Sequence, residues 1–370
     1  MWCAASKLYD AVAVTKLVSD GRLSLDKTIA DYLPELVGRI ENAENITLRL
    51  MIQHRSGIPN FTDSYNFWAA PTKTYEESLA LILDKPANFK PGEDYEYCNT
   101  NYLLINKIME FKKFKAATVQ TSPVFLNVEK TVDKAISFIK EASNNGAKLI
   151  AFPEVFIAGY PYWNWIMTPV QGSKWYEELY KNSVDVAGPE IKKLCLAAKD
   201  NDIHIVMGIN ERGKSYGEIY NTNLIIDNKG VIIGKHRKLV PTWAEKLTWS
   251  SGDGSSLKVY NTEIGPIGTL ACGENTNTLA RFTLLSQGEL IHIANYISLP
   301  VAPPDYDMAE AIKIRAAAHS FEGKLFTIVS CSTVSQEIKD ALRADVPNVD
   351  QLLDRKSSAF SGFIGPNGAV

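Results

Sequence analysis

From about residue 113 onward the chain alternates unbroken apolar runs with stretches of helical spacing. Between Asn127 and Asn145, Val128, Val132, Ala135, Ile136, Ile139 and Ala142 recur three or four residues apart. That spacing predicts a helix burying one face, with Gly146 stopping it. AKLIAFPE follows, an apolar run closed by proline and glutamate, as in a strand covered on both faces. Residues 203–209, 221–227, 230–236, 265–272, 289–295 and 324–330 repeat the strand signal, and 310–323 reads as a late helix. Strands and amphipathic helices in this order, without an internal repeat, predict a layered α+β domain.

The first 110 residues follow another pattern. Lys7–Ser19 reads as a helix ending at Gly21, HRSGIPNF as a glycine/proline loop, and YEESLALILD as a second helix. FKPGEDYEYCNTNYLLINKIME reads as a loop feeding a third helix. FKKFKAATVQ (111–120) is a basic patch leading into an apolar run, so two domains are expected, 1–110 and 111–370.

Composition narrows the function classes. The chain is 45% hydrophobic and 22% charged with net charge −3, which reads as soluble and globular. No basic stripe points to nucleic acid and no polybasic tract to a membrane surface. No apolar run approaches the ~18 residues that span a bilayer, and the opening MWCAASKLYD does not read as a secretory signal. Cys3, Cys98, Cys195, Cys272 and Cys331 lack paired spacing, which fits a reduced, cytoplasmic protein. None lies in a zinc-binding pattern, so no metal is expected.

The N-terminal stretch resembles the serine beta-lactamase-like, penicillin-binding hydrolases, through KLYDAVAVTKLVSDGRLSLDKTIADYLPEL, MIQHRSGIP and FKPGEDYEYCNTNY. In that family a serine precedes the lysine by three positions. The lysine falls here on Lys7, but Ala4 stands where the serine would be. Tyr97-Cys98-Asn99 matches the Y-x-N element, and the third element, Lys-Thr-Gly, has no counterpart before residue 111. The expectation is a partial, mainly helical fragment without catalysis.

In the second half three polar groups each end an apolar run. Glu154 follows AFP, Lys238 leaves GKHR with Glu245 seven residues on, and Cys272 ends GTLAC. Each alone has a commoner structural explanation: a cap for Glu154, a solvated charged run for Lys238, packing for Cys272. His236 reads as structural, and His204, His292 and His319 receive no catalytic role. Together, a carboxylate, an amine and a thiol leaving buried strands supply a base, an anion holder and a nucleophile.

These segments are similar to those of the nitrilase superfamily. The match begins at FKAATVQTSPVFLNVEKTVDKAISFIKEA and runs through GAKLIAFPEVFIAGYPYW, YNTNLIIDNKGVIIGKHRKLVPTWAEKLTW and IGTLACGENTNTLARF to IKIRAAAHSFEGKLF. The resemblance implies a four-layer α-β-β-α sandwich, self-association, and a Glu-Lys-Cys triad falling on Glu154, Lys238 and Cys272, with Glu245 as a fourth active-site residue. It implies hydrolysis of a small-molecule nitrile to an acid and ammonia, with water and no cofactor; the alternatives are amidase, carbamoylase or cyanide-hydrating chemistry on the same residues, or an inactive fusion. Tyr160 and Trp163, with Tyr162 and Trp243, suggest an apolar substrate pocket, and Asn275 is a further binding candidate. Gly273 stands where many nitrilases have tryptophan. The chain ends at SGFIGPNGAV, short of the family's closing strands and tail.

Overall fold

A computed structural model describes residues 6–19, 21–65, 67–109, 113–303, 305–354 and 358–370. The chain forms two compact units, 1–112 and 113–370. Ala4 and the start of the basic patch, Phe111 and Lys112, lie outside the described residues.

The first unit is built from helices, the longest being Ser6–Ser19 and Asn99–Met109. Gly21 takes φ +71°, the left-handed turn that closes the first helix. Thr28, Thr47 and Thr74 cap the short helices between, each hydroxyl accepting a backbone N–H three residues on. Val14, Ile29, Ile46, Leu48, Met51, Leu104 and Ile105 form its buried core. In the positions that resemble a penicillin-binding site, Lys7 Nζ donates to Asn99 Oδ1 at 2.8 Å and lies 5.0 Å from the Tyr97 ring centre.

The second unit contains two sheets. The first orders β1 (Lys115–Thr118), β2 (Ala147–Ala151), β3 (His204–Arg212), β4 (Ile219–Ile226) and β5 (Ile232–Arg237) side by side. The second runs β10 (Gly362–Ile364), β9 (Phe326–Cys331), β8 (Ile291–Tyr296), β7 (Gly265–Ala271) and β6 (Tyr260–Thr262). In the first, the parallel trio β1–β3 is followed on one side by antiparallel β4 and β5; in the second, the parallel trio β7–β9 is flanked by antiparallel β6 and β10. The two sheets face one another through Leu149, Ala151, Val206, Ile225, Ile267, Ile293 and Ile328. Polar ties cross the same gap: Asn223 Nδ2 donates to Thr269 Oγ1 at 2.8 Å.

Helices cover the outer faces and make four layers. Val128–Asn144 starts where the Asn127 side chain accepts from Lys130 N, a cap worth about 1 kcal/mol. It ends before Gly146, at φ +82°. Its face of Val132, Ala135 and Ile139 packs with Ile191 and Leu194 of helix Pro189–Asp200 and with Ile150 and Ile205 of the sheet. Truncating Ile139 to alanine there would cost roughly 2–5 kcal/mol. Helix Met308–Gly323 covers the other sheet with Ile312 and Ala316 against Ala294 and Val329. Strands covered in this way on both sides explain the unbroken apolar runs in the sequence. No described helix is long and apolar enough to cross a membrane.

Candidate active site

Glu154 sits just beyond β2, where the chain turns after Pro153. Its N–H donates to Tyr296 O at 3.3 Å, pinning the turn to β8 of the facing sheet. Val155 follows at φ +42°, an unfavourable angle for a β-branched residue. The turn lies so close to Gly208 of β3 that a Cβ there would overlap the Pro153 carbonyl oxygen and lie 2.9 Å from the Glu154 carbonyl carbon.

Lys238 leaves β5 and is fixed by its own backbone, with its N–H donating to Asn221 O and its carbonyl accepting from Gly252 N, both at 2.8 Å. Its ammonium is buried and donates to Glu154 Oε1 at 2.8 Å and Glu245 Oε2 at 2.7 Å. Burial disfavours the charge, but the two carboxylates outweigh it and hold the amine pKa well above the ordinary lysine value. Glu245 Oε2 also accepts from Thr242 N at 2.6 Å, and Oε1 accepts from the Tyr160 hydroxyl at 3.0 Å. Tyr160 in turn accepts from Trp165 Nε1 at 2.9 Å.

Glu154 has two unlike oxygens. Oε1 takes Lys238 and, at 2.8 Å, Asn221 Nδ2; Oε2 is buried without a partner among the described residues. Burial raises the Glu154 pKa above the ordinary glutamate value; Lys238 counters this and Glu245 adds to it.

Cys272 begins the turn Cys272–Thr276 after β7, at φ +51°. The thiol pKa is pushed well up by burial, then by Glu154 and Glu245, against the opposing pull of Lys238 and Arg315. It therefore rests as a thiol and requires a base to react. Two side chains of the same turn hold it in place. Glu274 accepts from Ala271 N at 3.0 Å, from Leu239 N at 2.8 Å and from His236 at 2.8 Å. The Cys272 turn is thus tied to the residue next to Lys238. Burial opposes ionisation of Glu274, but His236 and these N–H groups outweigh it and keep its pKa low.

The sequence-derived candidates therefore separate. Glu154, Lys238, Glu245 and Tyr160 form one hydrogen-bonded cluster, and its charges act on Cys272. Trp163 is buried away from that cluster's hydrogen bonds, against Phe125 and Trp175 at 6.2 Å each and tight on Gly172. Asn275 turns its amide onto the backbone, donating to Leu270 O and Cys272 O. Tyr162 donates to Ser298 O at 3.0 Å, and Trp243 is exposed at φ +45°. Three residues that sequence reading passed over border the cluster. Asn221 holds Glu154, Trp249 lies 5.9 Å from the Lys238 ammonium, and Tyr296 carries a buried hydroxyl without a partner among the described residues. The polar run Asn221-Thr222-Asn223, opening a strand that continues as LII, was the available signal.

Among the described residues one group, Glu289, His292 and His319, has atoms close enough to hold a metal ion. Its facing atoms are engaged with one another in hydrogen bonds at 2.7 and 2.8 Å.

A four-layer sandwich with carboxylates, an amine and a thiol gathered at strand ends defines a class, and comparison with known proteins places the chain within it. Residues 115–370 match the carbon-nitrogen hydrolase family, and the chain belongs to that family. It is a hydrolase acting on carbon–nitrogen bonds. Residues 1–111 match the beta-lactamase family. An aliphatic nitrilase of Rhodococcus rhodochrous is 35% identical over 258 residues, 69% of each chain. A nitrilase of Bacillus sp. (strain OxB-1) is 35% identical over 259 residues, 70% of this chain and 75% of the relative. A cyanide hydratase of Microdochium sorghi is 40% identical over 196 residues, 53% of this chain and 52% of the relative. In fold, the second unit is similar to Nit3 of Saccharomyces cerevisiae, described as a member of branch 10 of the nitrilase superfamily. The TM-score is 0.53 at 20% identity, covering 70% of this chain and 86% of that one.

Proposed function

We propose that the protein is a nitrilase, converting an organic nitrile and two waters to a carboxylic acid and ammonia at Cys272. The observation that carries this reading is the buried Lys238 ammonium, shared between Glu154 and Glu245 beside a thiol that burial keeps protonated. Glu154 is the base: its unpartnered Oε2 and raised pKa suit it to take the thiol proton and return it. The sulfur attacks the nitrile carbon, and the nitrogen gains the proton to give a thioimidate. Two of the three Lys238 N–H groups are engaged by carboxylates. The third faces the substrate and stabilises negative charge on the tetrahedral species. Water adds, ammonia leaves, and a second water hydrolyses the thioester to the acid and frees the thiol.

Glu245 orients Lys238, and Tyr160 holds Glu245. Trp163 and Asn275 act behind the pocket, the first through packing and the second through the nucleophile turn. A second reading, hydration to an amide by expulsion of the thiol, is favoured by the relatives named cyanide hydratase. Self-association through the second unit is supported by exposed Leu279 and Phe282 on helix Thr278–Ser286 and exposed Ile314 and Phe321 on helix Met308–Gly323. A reducing, cytoplasmic setting suits a thiol nucleophile among free cysteines.

The test is ammonia release from matched nitrile and amide panels by the full chain and by Cys272→Ala. Release from nitriles by the parent alone is expected. Release from amides only overturns the nitrilase reading, and activity surviving Cys272→Ala overturns the nucleophile.

A further inference from the structure

Hydrogen-bond direction around Asn275 fixes the position of a buried proton. One end of the Asn275 amide faces two backbone carbonyls, Leu270 O at 3.1 Å and Cys272 O at 3.0 Å. Carbonyls only accept, so the atom there is the NH2 and the other end is Oδ1. His292 Nε2 lies 2.8 Å from that oxygen and must therefore carry a hydrogen. The other nitrogen of the ring, Nδ1, lies 2.7 Å from Glu289 Oε1. A neutral imidazole has one N–H, already placed on Nε2, so Nδ1 offers a lone pair and the bonding proton sits on the carboxyl.

The rest of the network obeys the same count. Glu289 Oε2 lies 2.8 Å from His319 Nε2, which donates to it, while His319 Nδ1 has no partner among the described residues. An imidazolium beside a carboxylate would also satisfy these distances, but Glu289, His292 and His319 are all buried. Burial pushes His292 down to about 3 and His319 to about 4 and also raises the Glu289 pKa, so both imidazoles are neutral and the hydrogen-bond count leaves the shared proton on Glu289. Gly268 on β7 leaves the space the carboxyl occupies, since a Cβ there would overlap Glu289 Oε1.

We propose that Glu289 is a resident neutral carboxylic acid whose O–H donates to His292 Nδ1 and so locks the tautomer that orients Asn275 on the Cys272 turn. Glu289, His292 and Asn275 are then positioning residues for the nucleophile, a role that rests on the reading of Cys272 given above. With the proton on Nδ1 instead, a lone pair on Nε2 would face Oδ1. The amide would turn over and set its oxygen against the Leu270 and Cys272 carbonyls, at the residue held at φ +51°.

Two measurements test this. Nitrogen-15 spectra of histidine-labelled full-length protein near neutral pH should show His292 bare at Nδ1 and protonated at Nε2. A hydrogen on Nδ1 overturns the proposal, and this readout needs neither turnover nor Cys272. In Glu289→Gln the amide N–H replaces the carboxyl O–H and the amide oxygen still accepts from His319, so kcat should stay within about threefold of the parent. Glu289→Ala should lose roughly 10- to 100-fold in kcat with KM nearly unchanged. Equal losses in the two variants overturn the positioning role. Activity surviving Cys272→Ala would instead remove the nucleophile reading and leave the spectral result standing.

Discussion

Removing the Lys238 ammonium should destabilise the second unit strongly, and in a pH-dependent way. Lys238→Met keeps the length and apolar stem of the side chain but leaves the Glu154 and Glu245 carboxylates facing each other's field without the cation they share at 2.8 and 2.7 Å. All three side chains are at most 2% exposed, so solvent cannot take over the role. Deleting one partner of a buried ion pair costs about 3–5 kcal/mol. For a unit of 113–370 that corresponds to a melting shift of about 6–20 °C at 2–4 °C per kcal/mol. The variant relieves the repulsion by protonating Glu154, whose folded pKa is raised already and rises further without Lys238. A folded state that binds more protons than the unfolded chain loses stability as pH rises from the unfolded pKa through the folded one. The deficit should therefore shrink as pH falls and be largest at neutral pH. Melting curves of full-length parent and variant from acid to neutral pH measure it. Adding Glu154→Gln should recover part of the loss while activity stays absent. A variant melting within about 2 °C of the parent at neutral pH would refute the argument, because a buried pair without its cation cannot be that benign.

Other consequences are quicker to check. The acid limb of kcat/KM should lie above the ordinary glutamate value, because Glu154 must be ionised to act and its pKa is raised; activity falls as pH drops through it, and a limb at or below the ordinary value contradicts the assignment of Glu154 as base. Gly208→Ala pushes a methyl into the Pro153 carbonyl and the backbone of Glu154, so stability should fall by about 1–3 kcal/mol and kcat by roughly 10²-fold, and unchanged kinetics would show that the turn yields freely. Gly273→Ala meets only the Thr242 hydroxyl, at 3.3 Å, so it should fold normally and keep kcat/KM within about threefold, whereas a collapse of activity would mean that this backbone edge touches substrate.

The sequence exposed whatever is local or periodic. β3, β4, β7, β8 and β9 were visible as apolar runs because each is covered on both faces. The helix at Val128–Asn144 showed its stripe, its asparagine cap and its terminating glycine. Glu154, Lys238 and Cys272 stood out because each polar group directly ends such a run. Helices Pro169–Asn182 and Pro189–Asp200 carry a weaker local signal, proline at the first helical position of each. The Asn221–Glu154 hydrogen bond joins residues 67 apart, a pairing that only the completed sheet makes. Trp163 looked like a pocket wall because it follows Tyr160 and Tyr162, but its ring turns toward Phe125 and Trp175. Asn275 looked free because nothing local reveals that two carbonyls and a distant histidine engage every polar atom of its amide.

The backbone beside each candidate group bears on why these three strand ends converge. Val155 after Glu154, Trp243 between Lys238 and Glu245, and Cys272 itself all take left-handed φ, at +42°, +45° and +51°. Such positions cost about 1–3 kcal/mol each and persist only where the surroundings over-determine them. Here they are over-determined. Val155 O accepts from Gly159 N at 3.0 Å, and Ile157 N donates to Gly208 O at 3.1 Å. Trp243 is bracketed by the Thr242 N–H on Glu245. Cys272 is held by Glu274 on one side and Asn275 on the other. Val155 lies just after β2 and Cys272 at the end of β7, while Trp243 lies in the segment that brings Glu245 back to Lys238. At these turns the carboxylate, the ammonium and the thiol stay buried, each within reach of the others' charge.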